Sequence, residues 1–454
     1  MNVLARLGVA WGMIYGPPAS PPERFVPLVR DLGGGFTRVN LFWSQLEPER
    51  GRYEWELLDA YLDQLSSPDE GMVTLWSSSP WATRASTWFL PPSPARDLDD
   101  YRRFVRAVVR HARGRVRWFQ NDSEPANPLF WSGSREEYVA QVRAFHRAVK
   151  DEDPSAIVVL GASDGLFGPP GEHPIPGQDA SLGFVDYVLA HAGYAFDVFD
   201  IHLYGDAYTI PGRVELVRAK LAALGLDRPI IAGEYGGPGF FDLPVNRRHH
   251  ALLGDFARPA PSPGVAALYA RRDTLPPETQ MFLAGCSEAL ERRLLLLQER
   301  DLVMRNVLAF SAGVGRTAFW DLWHDASERD AVTTLLFGKL KLMDYAGGRL
   351  TPRRLAAAFR RLAARLDGLE SIHPVPVPGN ARLYAFEATR RGRGPLVVVW
   401  ERRDPFDDGP PAPYERDWPR ATAAAVDAAG VAVPVSLAGG RLRVAVTATP
   451  VFVE

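Results

Sequence analysis

The segment Val116-Arg-Trp-Phe-Gln-Asn-Asp-Ser-Glu-Pro125 decides how the rest of the chain is read. It opens as a strand of β-forming residues and ends in a carboxylate followed by proline, which halts regular ladder pairing. A carboxylate at the C-terminal tip of a strand, in a chain that alternates strands with helices, stands where (β/α)8 barrels carry their functional groups. Glu124 is that residue. A second, Glu234, lies in the run Pro229-Ile-Ile-Ala-Gly-Glu-Tyr-Gly-Gly237.

Outward from these two tips, strand-like apolar runs alternate with helical patterns eight times. The expected strands are Leu7–Trp11, Thr37–Trp43, Met72–Ser77, Val116–Asn121, Ile157–Gly161, Val198–Tyr204, Ile230–Ala232 and Arg316–Trp320. Short apolar runs of this kind suit parallel strands buried on both faces. Helical stretches follow at Pro22–Leu32, Trp55–Leu65, Asp99–Arg113, Arg135–Lys150, Leu182–His191, Val214–Leu224 and Pro277–Phe310. The last, Pro352–Leu366, carries one apolar stripe of Leu355, Phe359, Leu362 and Leu366. The pattern predicts an α/β fold, a (β/α)8 TIM barrel over residues 1–368 with insertions. A doubly wound sheet fits less well, because no Gly-rich dinucleotide turn follows the first strand. Phe167–Gln178 and Phe240–Pro276 read as long loops that shape or cover a cleft. Beyond them, 369–454 reads as a small all-β, sandwich-like domain with strands at Arg382–Ala388, Pro395–Trp400, Val431–Leu437, Arg441–Thr447 and Val451–Val453.

Composition narrows the function classes. Hydrophobic residues make up 46% and charged residues 23%, as in an ordinary globular protein. A formal charge of −2 offers no general attraction to nucleic acid or to an anionic membrane. Cationic charge is almost all arginine, with lysine only at positions 150, 220, 339 and 341. One cysteine, Cys286, excludes an internal disulfide and a multi-cysteine metal site, and its apolar helical surroundings read as core. The run Leu294-Leu-Leu-Leu297 is too short to span a membrane, and the opening residues read as a strand rather than a leader, so a cytoplasmic location is expected.

Two carboxylates on the tips of strands four and seven would face each other across a barrel mouth. Retaining hydrolysis of a glycosidic bond needs such a pair ~5–5.5 Å apart: one protonated to assist departure, one ionised to attack. The plainer reading of Glu124 is a solvated loop carboxylate. Glu234, set between a buried strand and a Gly-Gly turn, is harder to place that way, since an unpaired carboxylate there is costly.

Dispersed motifs carry a resemblance. Thr37-Arg-Val-Asn-Leu-Phe-Trp-Ser-Gln-Leu-Glu-Pro-Glu-Arg-Gly-Arg-Tyr-Glu-Trp55, Ser79-Pro-Trp-Ala82 and the two glutamate segments make residues 5–366 similar to glycoside hydrolases of clan A, most of all the family 39 and family 42 types. The resemblance implies Glu124 as general acid/base and Glu234 as nucleophile. It implies Arg38 as the cation beside the nucleophile, Tyr204 as its hydrogen-bond donor, and His202, on the same strand face, as a lining residue. Trp320 matches a sugar-stacking tryptophan, with Trp323 as the substitute, and Trp81 joins the candidate substrate contacts. A carbohydrate substrate is implied, with no metal and no cofactor.

One position departs from the pattern. Ser123 stands where the clan has an asparagine that contacts the sugar 2-hydroxyl, so either Asn121 is brought in by a bulge or a different sugar is bound. Two rivals stay open: a transglycosylase using the same pair, and a non-catalytic carbohydrate-binding barrel. The chain has no His-Glu-x-x-His, P-loop or Gly-x-Ser-x-Gly motif, and the pair His249-His250 reads as solvated surface.

Overall fold

The computed structural model describes residues 5–10, 24–161, 178–256 and 260–454. Trp11 and all but the last residue of the expected loop at 167–178 lie outside these. Eight parallel strands close into a barrel in sequence order: β1 Arg6–Ala10, β2 Phe36–Phe42, β3 Glu70–Trp76, β4 Trp118–Asn121, β5 Ile157–Leu160, β6 Val198–Leu203, β7 Ile230–Tyr235 and β8 Arg316–Phe319. The outer helices are α1 Phe25–Asp31, α2 Glu56–Leu62, α3 Leu98–Ala112, α4 Arg135–Glu152, α5 Gln178–Ala192, α6 Ile210–Ala223, α7 Glu288–Ser311 and α8 Arg354–Leu366. Seven strands fall within two residues of expectation, whereas β7 runs three residues further and carries Glu234 inside the strand.

The alternation of side chains along each strand builds the interior in layers. Ala10, Phe36, Met72, Trp118, Val159, Val198, Ile231 and Ala318, one from each strand, form an apolar plug. Two residues further along, β2, β3, β4 and β6 place Arg38, Thr74, Gln120 and Asp200 above it, all buried. The odd-facing residues (Val39, Val73, Phe119, Phe199, Ile201) pack outward into the helix layer.

Local signals explain where helices begin and break. Ser134 and Glu137 form a capping box on α4. The helix expected over Pro277–Phe310 is instead interrupted. Gly285 takes a left-handed φ of 74°, and Ser287 then caps α7 by accepting the Leu290 N–H. Cys286 therefore lies in this break rather than in a helical core, half-buried, with its Sγ 3.2 Å from Lys339 Nζ.

The insertion after β7 forms its own apolar cluster, including Phe240, Leu243, Leu252, Val265 and Met281. His249 and His250 are half-buried against Phe240 and Phe241, with ring centroids 6.1 and 4.8 Å apart, rather than solvated. Burial lowers the pKa of both.

After β8 a hairpin, β9 Met343–Ala346 with β10 Arg349–Pro352, precedes α8. The C-terminal region holds two antiparallel sheets. One has the order β11-β12-β13-β18-β15 and the other β14-β17-β16 (β11 Leu369–Val375, β12 Leu383–Arg390, β13 Leu396–Glu401, β14 Ala412–Asp417, β15 Ala425–Asp427, β16 Val435–Ala438, β17 Arg441–Val446, β18 Val451–Val453). Leu383, Val397 and Val399 of the first pack against Tyr414, Leu442 and Val444 of the second. The first sheet's other face, with Phe386, Val398, Trp400 and Phe452, joins the core of α8 through Phe359 and Leu362. Strands β11, β14 and β15 were not expected from the sequence. Among the described residues no helix is long and apolar enough to cross a membrane.

Candidate active site

The site grows out of the polar layer above the plug. Arg38 is fully buried, and its guanidinium is committed on every side. Nε donates to Thr74 Oγ1 (3.0 Å), one terminal nitrogen to Glu234 Oε1 (2.6 Å) and Gly233 O (3.2 Å), and the other to Gln120 Oε1 and Ser123 Oγ (both 2.9 Å). Gln120 passes the network on, donating to Asp200 Oδ2 at 2.7 Å. Asp200 accepts the Gly233 N–H at 2.5 Å. A Cβ at Gly233 would fall 2.4 Å from that carboxylate, so glycine lets the strands approach.

Both tips carry backbone irregularities. At the end of β4, Asp122 and Glu124 adopt left-handed φ values of 48° and 49°, a conformation that costs on the order of 1–3 kcal/mol per non-glycine residue. These two turns break the alternation. Asp122 points out of the barrel wall, where it accepts from Ser77 N and Gln141 Nε2. Ser123 turns back to Arg38, and Glu124 enters the mouth. On the opposite side, β7 shifts register against both β6 and β8 around Glu234.

The two carboxylates meet His202. Its Nδ1 lies 2.5 Å from Glu124 Oε1 and 3.5 Å from Glu234 Oε2, and its Nε2 faces Asp200 Oδ2 at 3.5 Å. Tyr204 donates to Glu234 Oε2 at 3.0 Å. One oxygen of Glu124, one of Glu234 and a nitrogen of His202 all lie within 4.8 Å of one another.

Charge decides the protonation states. Burial disfavours the imidazolium of His202, but the carboxylates of Glu234, Glu124 and Asp200 outweigh it and raise its pKa to about 10. Burial raises the carboxyl of Glu124, with the adjacent Glu234 acting in the same direction and His202 and Arg38 opposing. Glu124 is thus the carboxyl pushed towards its protonated form, while Glu234 lies against the Arg38 guanidinium at 2.6 Å. The same three side chains have ligand-type atoms close enough to approach one small cation.

The remaining expected residues divide. Trp320, at the end of β8, packs on the apolar plug and edge-on to Phe337 at 6.2 Å. Trp323 is buried edge-on against Tyr345 at 5.2 Å. Trp81 braces the loop after β2, its indole N–H donating to the Glu47 carbonyl at 2.9 Å. The buried Glu47 carboxylate is itself held by Trp43, Gly51 and Arg103. Asn121 is not brought into the mouth: the regular alternation of β4, with Trp118 and Gln120 inward, faces it to the helix layer, where it accepts a hydrogen bond from Tyr101 of α3. Thr74, Gln120 and Asp200 belong to the site but were not expected. Their signal was a polar residue at an interior position of an otherwise apolar strand.

No protein-family model matches the chain, and no curated protein matches it. Solved structures do. The chain is similar to a family 39 glycoside hydrolase from Bacteroides cellulosilyticus WH2, with a TM-score of 0.65, 13% identity, and coverage of 100% of this chain and 81% of the other. It is similar to a glucosidase from Croceicoccus marinus, with a TM-score of 0.55, 14% identity, and coverage of 100% and 96%. A family 51 α-L-arabinofuranosidase from Bifidobacterium longum gives a TM-score of 0.56, 13% identity, and coverage of 100% and 95%. In fold, this chain is similar to these barrel glycoside hydrolases over its whole length, beyond the residues 5–366 that its motifs had indicated.

Proposed function

We propose that the protein is a retaining glycoside hydrolase acting on a β-glycosidic bond of a glycoside, oligosaccharide or polysaccharide. The observation that carries this reading is the separation of the two carboxylates, which bring oxygens within 4.8 Å of each other. Direct nucleophilic attack requires about 5–5.5 Å between carboxyl groups, whereas inversion leaves ~6.5–9.5 Å for an intervening water.

Glu124 protonates the departing oxygen while Glu234 attacks the anomeric carbon, forming a glycosyl-enzyme and releasing the alcohol. Glu124, now ionised, then takes a proton from water, the hydroxide displaces Glu234, and the sugar leaves with its original configuration. Arg38 and Tyr204 hold the Glu234 carboxylate by one oxygen each, which fixes its direction of attack. Trp320 offers an apolar ring to a pyranose face.

Turnover of aryl β-glycosides by wild type, Glu124→Ala and Glu234→Ala tests the assignment. Both variants are expected to lose activity. Azide should rescue Glu124→Ala as the β-glycosyl azide and Glu234→Ala as the α-glycosyl azide. Wild-type binding of sugars without turnover would overturn the reading in favour of a carbohydrate-binding barrel.

A further inference from the structure

Strand β6 outruns its neighbour on one side. Its pairing with β5 ends at Leu160↔Phe199, while its ladder with β7 slips between Asp200 and His202. His202 and Leu203 stay in register with Glu234 and Tyr235 of β7, but beyond Phe199 the strand has no β5 partner among the described residues, and Tyr204 and Gly205 lie past its end. Buried carbonyls left without donors keep their desolvation penalty with nothing to offset it.

Two buried arginines supply the donors. Arg213, on α6, donates to His202 O at 2.5 Å and Tyr204 O at 2.6 Å. Arg305, on α7, donates to Leu203 O at 2.7 Å and Gly205 O at 2.9 Å. Carbonyls alternate along an extended strand, so each guanidinium holds one edge of it. The fork of a guanidinium reaches two carbonyls at once, which an ammonium cannot match in geometry.

Arg305 also supports the other tip. It is bidentate to Asp301, one helical turn back, at 2.8 and 2.9 Å. Gly237, three residues beyond Glu234, rests on this pair: a Cβ there would lie 2.4 Å from the guanidinium.

We propose that Arg213 and Arg305 are positioning residues. By gripping the four successive carbonyls at the end of β6, they hold His202 against Glu124 and Tyr204 against Glu234. The catalytic consequence rests on the glycosidase reading, while the clamp itself does not.

The test uses the full chain carrying Arg213→Met or Arg305→Met, alone and with Tyr204→Phe. On an aryl β-glycoside, kcat is expected to fall about 10–100-fold with KM within about twofold, as for a small displacement of reacting groups. The loss from Arg213→Met should shrink when Tyr204 is already phenylalanine, because the two act through one hydrogen bond. A readout independent of turnover is the ring N–H proton of His202 by NMR. It should appear far downfield in wild type and move upfield in the methionine variants. A folded Arg213→Met that keeps the His202 signal would overturn the clamp, as would losses that simply add in the double variant. If wild type turns over no glycoside, the glycosidase reading fails and the NMR signal alone decides the clamp. Should the methionine variants not fold, Arg213→Lys, which retains charge but not the fork, carries the same readouts.

Discussion

His202 Nδ1 stands 2.5 Å from Glu124 Oε1, so the group proposed as acid/base is hydrogen-bonded to a cation rather than to solvent. The contact tunes Glu124 from both directions. Burial raises its pKa, and the imidazolium limits how far.

Replacing His202 with glutamine retains a hydrogen-bond donor and removes the charge. Glu124 loses a cation that lowers its pKa, so it holds its proton to higher pH. The basic limb of the kcat/KM profile is expected to move to higher pH, with kcat reduced about 10–100-fold. A basic limb that stays put or moves to lower pH would show that His202 does not set Glu124.

Arg38 has no slack. Arg38→Met leaves Glu234, Gln120 and Ser123 without their donor in a buried layer. Breaking such a pair typically costs about 3–5 kcal/mol, so the urea midpoint should drop and activity vanish. Arg38→Lys is expected to restore part of the stability and little of the activity, since one ammonium cannot span these partners.

Asp122 gives a pH dependence of stability with a definite sign. Burial raises its carboxyl from 3.8 to about 7, against opposing hydrogen bonds from Ser77 and Gln141. Between roughly pH 4 and 7 the folded chain holds a proton that the unfolded chain has released. Asp122 therefore makes stability fall as pH rises through that window. Asp122→Asn should flatten the fall and leave the variant more stable than wild type at pH 8, by at most ~4 kcal/mol. Denaturant midpoints of both proteins at pH 5 and pH 8 measure this, and parallel slopes would refute it.

The two tryptophans after β8 should separate. Trp320→Ala removes a ring proposed to meet the sugar and is expected to raise KM about 2- to 10-fold, in line with ~0.5–1.5 kcal/mol for an aromatic contact. Trp323→Ala empties a buried site against Tyr345 and should cost about 3–5 kcal/mol of stability with KM unchanged. Steady-state kinetics beside thermal melts distinguish them.

Much of the frame was legible because it rests on local rules. Apolar runs such as Ile157–Leu160 can be read as buried parallel strands, and Ser134 with Glu137 marks a helix start. The missed strands show the limit. β14 reads Ala-Pro-Tyr-Glu-Arg-Asp and is held mainly by its ladder to β17, a partner distant in sequence. Asp122 and Ser123 show it at the site, where left-handed turns at Asp122 and Glu124 turn the first outward and the second back to Arg38, against the strand alternation.

By itself, then, the sequence determined the eightfold alternation and the residue types at the strand tips, since both follow from periodicity and turn chemistry within short windows. Only the tertiary structure decided that Glu124, His202 and Glu234 converge, that Gln120 accepts from Arg38 and donates to Asp200, and that Arg213 and Arg305 grip the carbonyls at the end of β6. Those relationships are hydrogen bonds between residues as many as 196 apart, made possible by barrel closure and two register shifts. No local propensity encodes them, because their energy exists only once water is excluded from the closed interior.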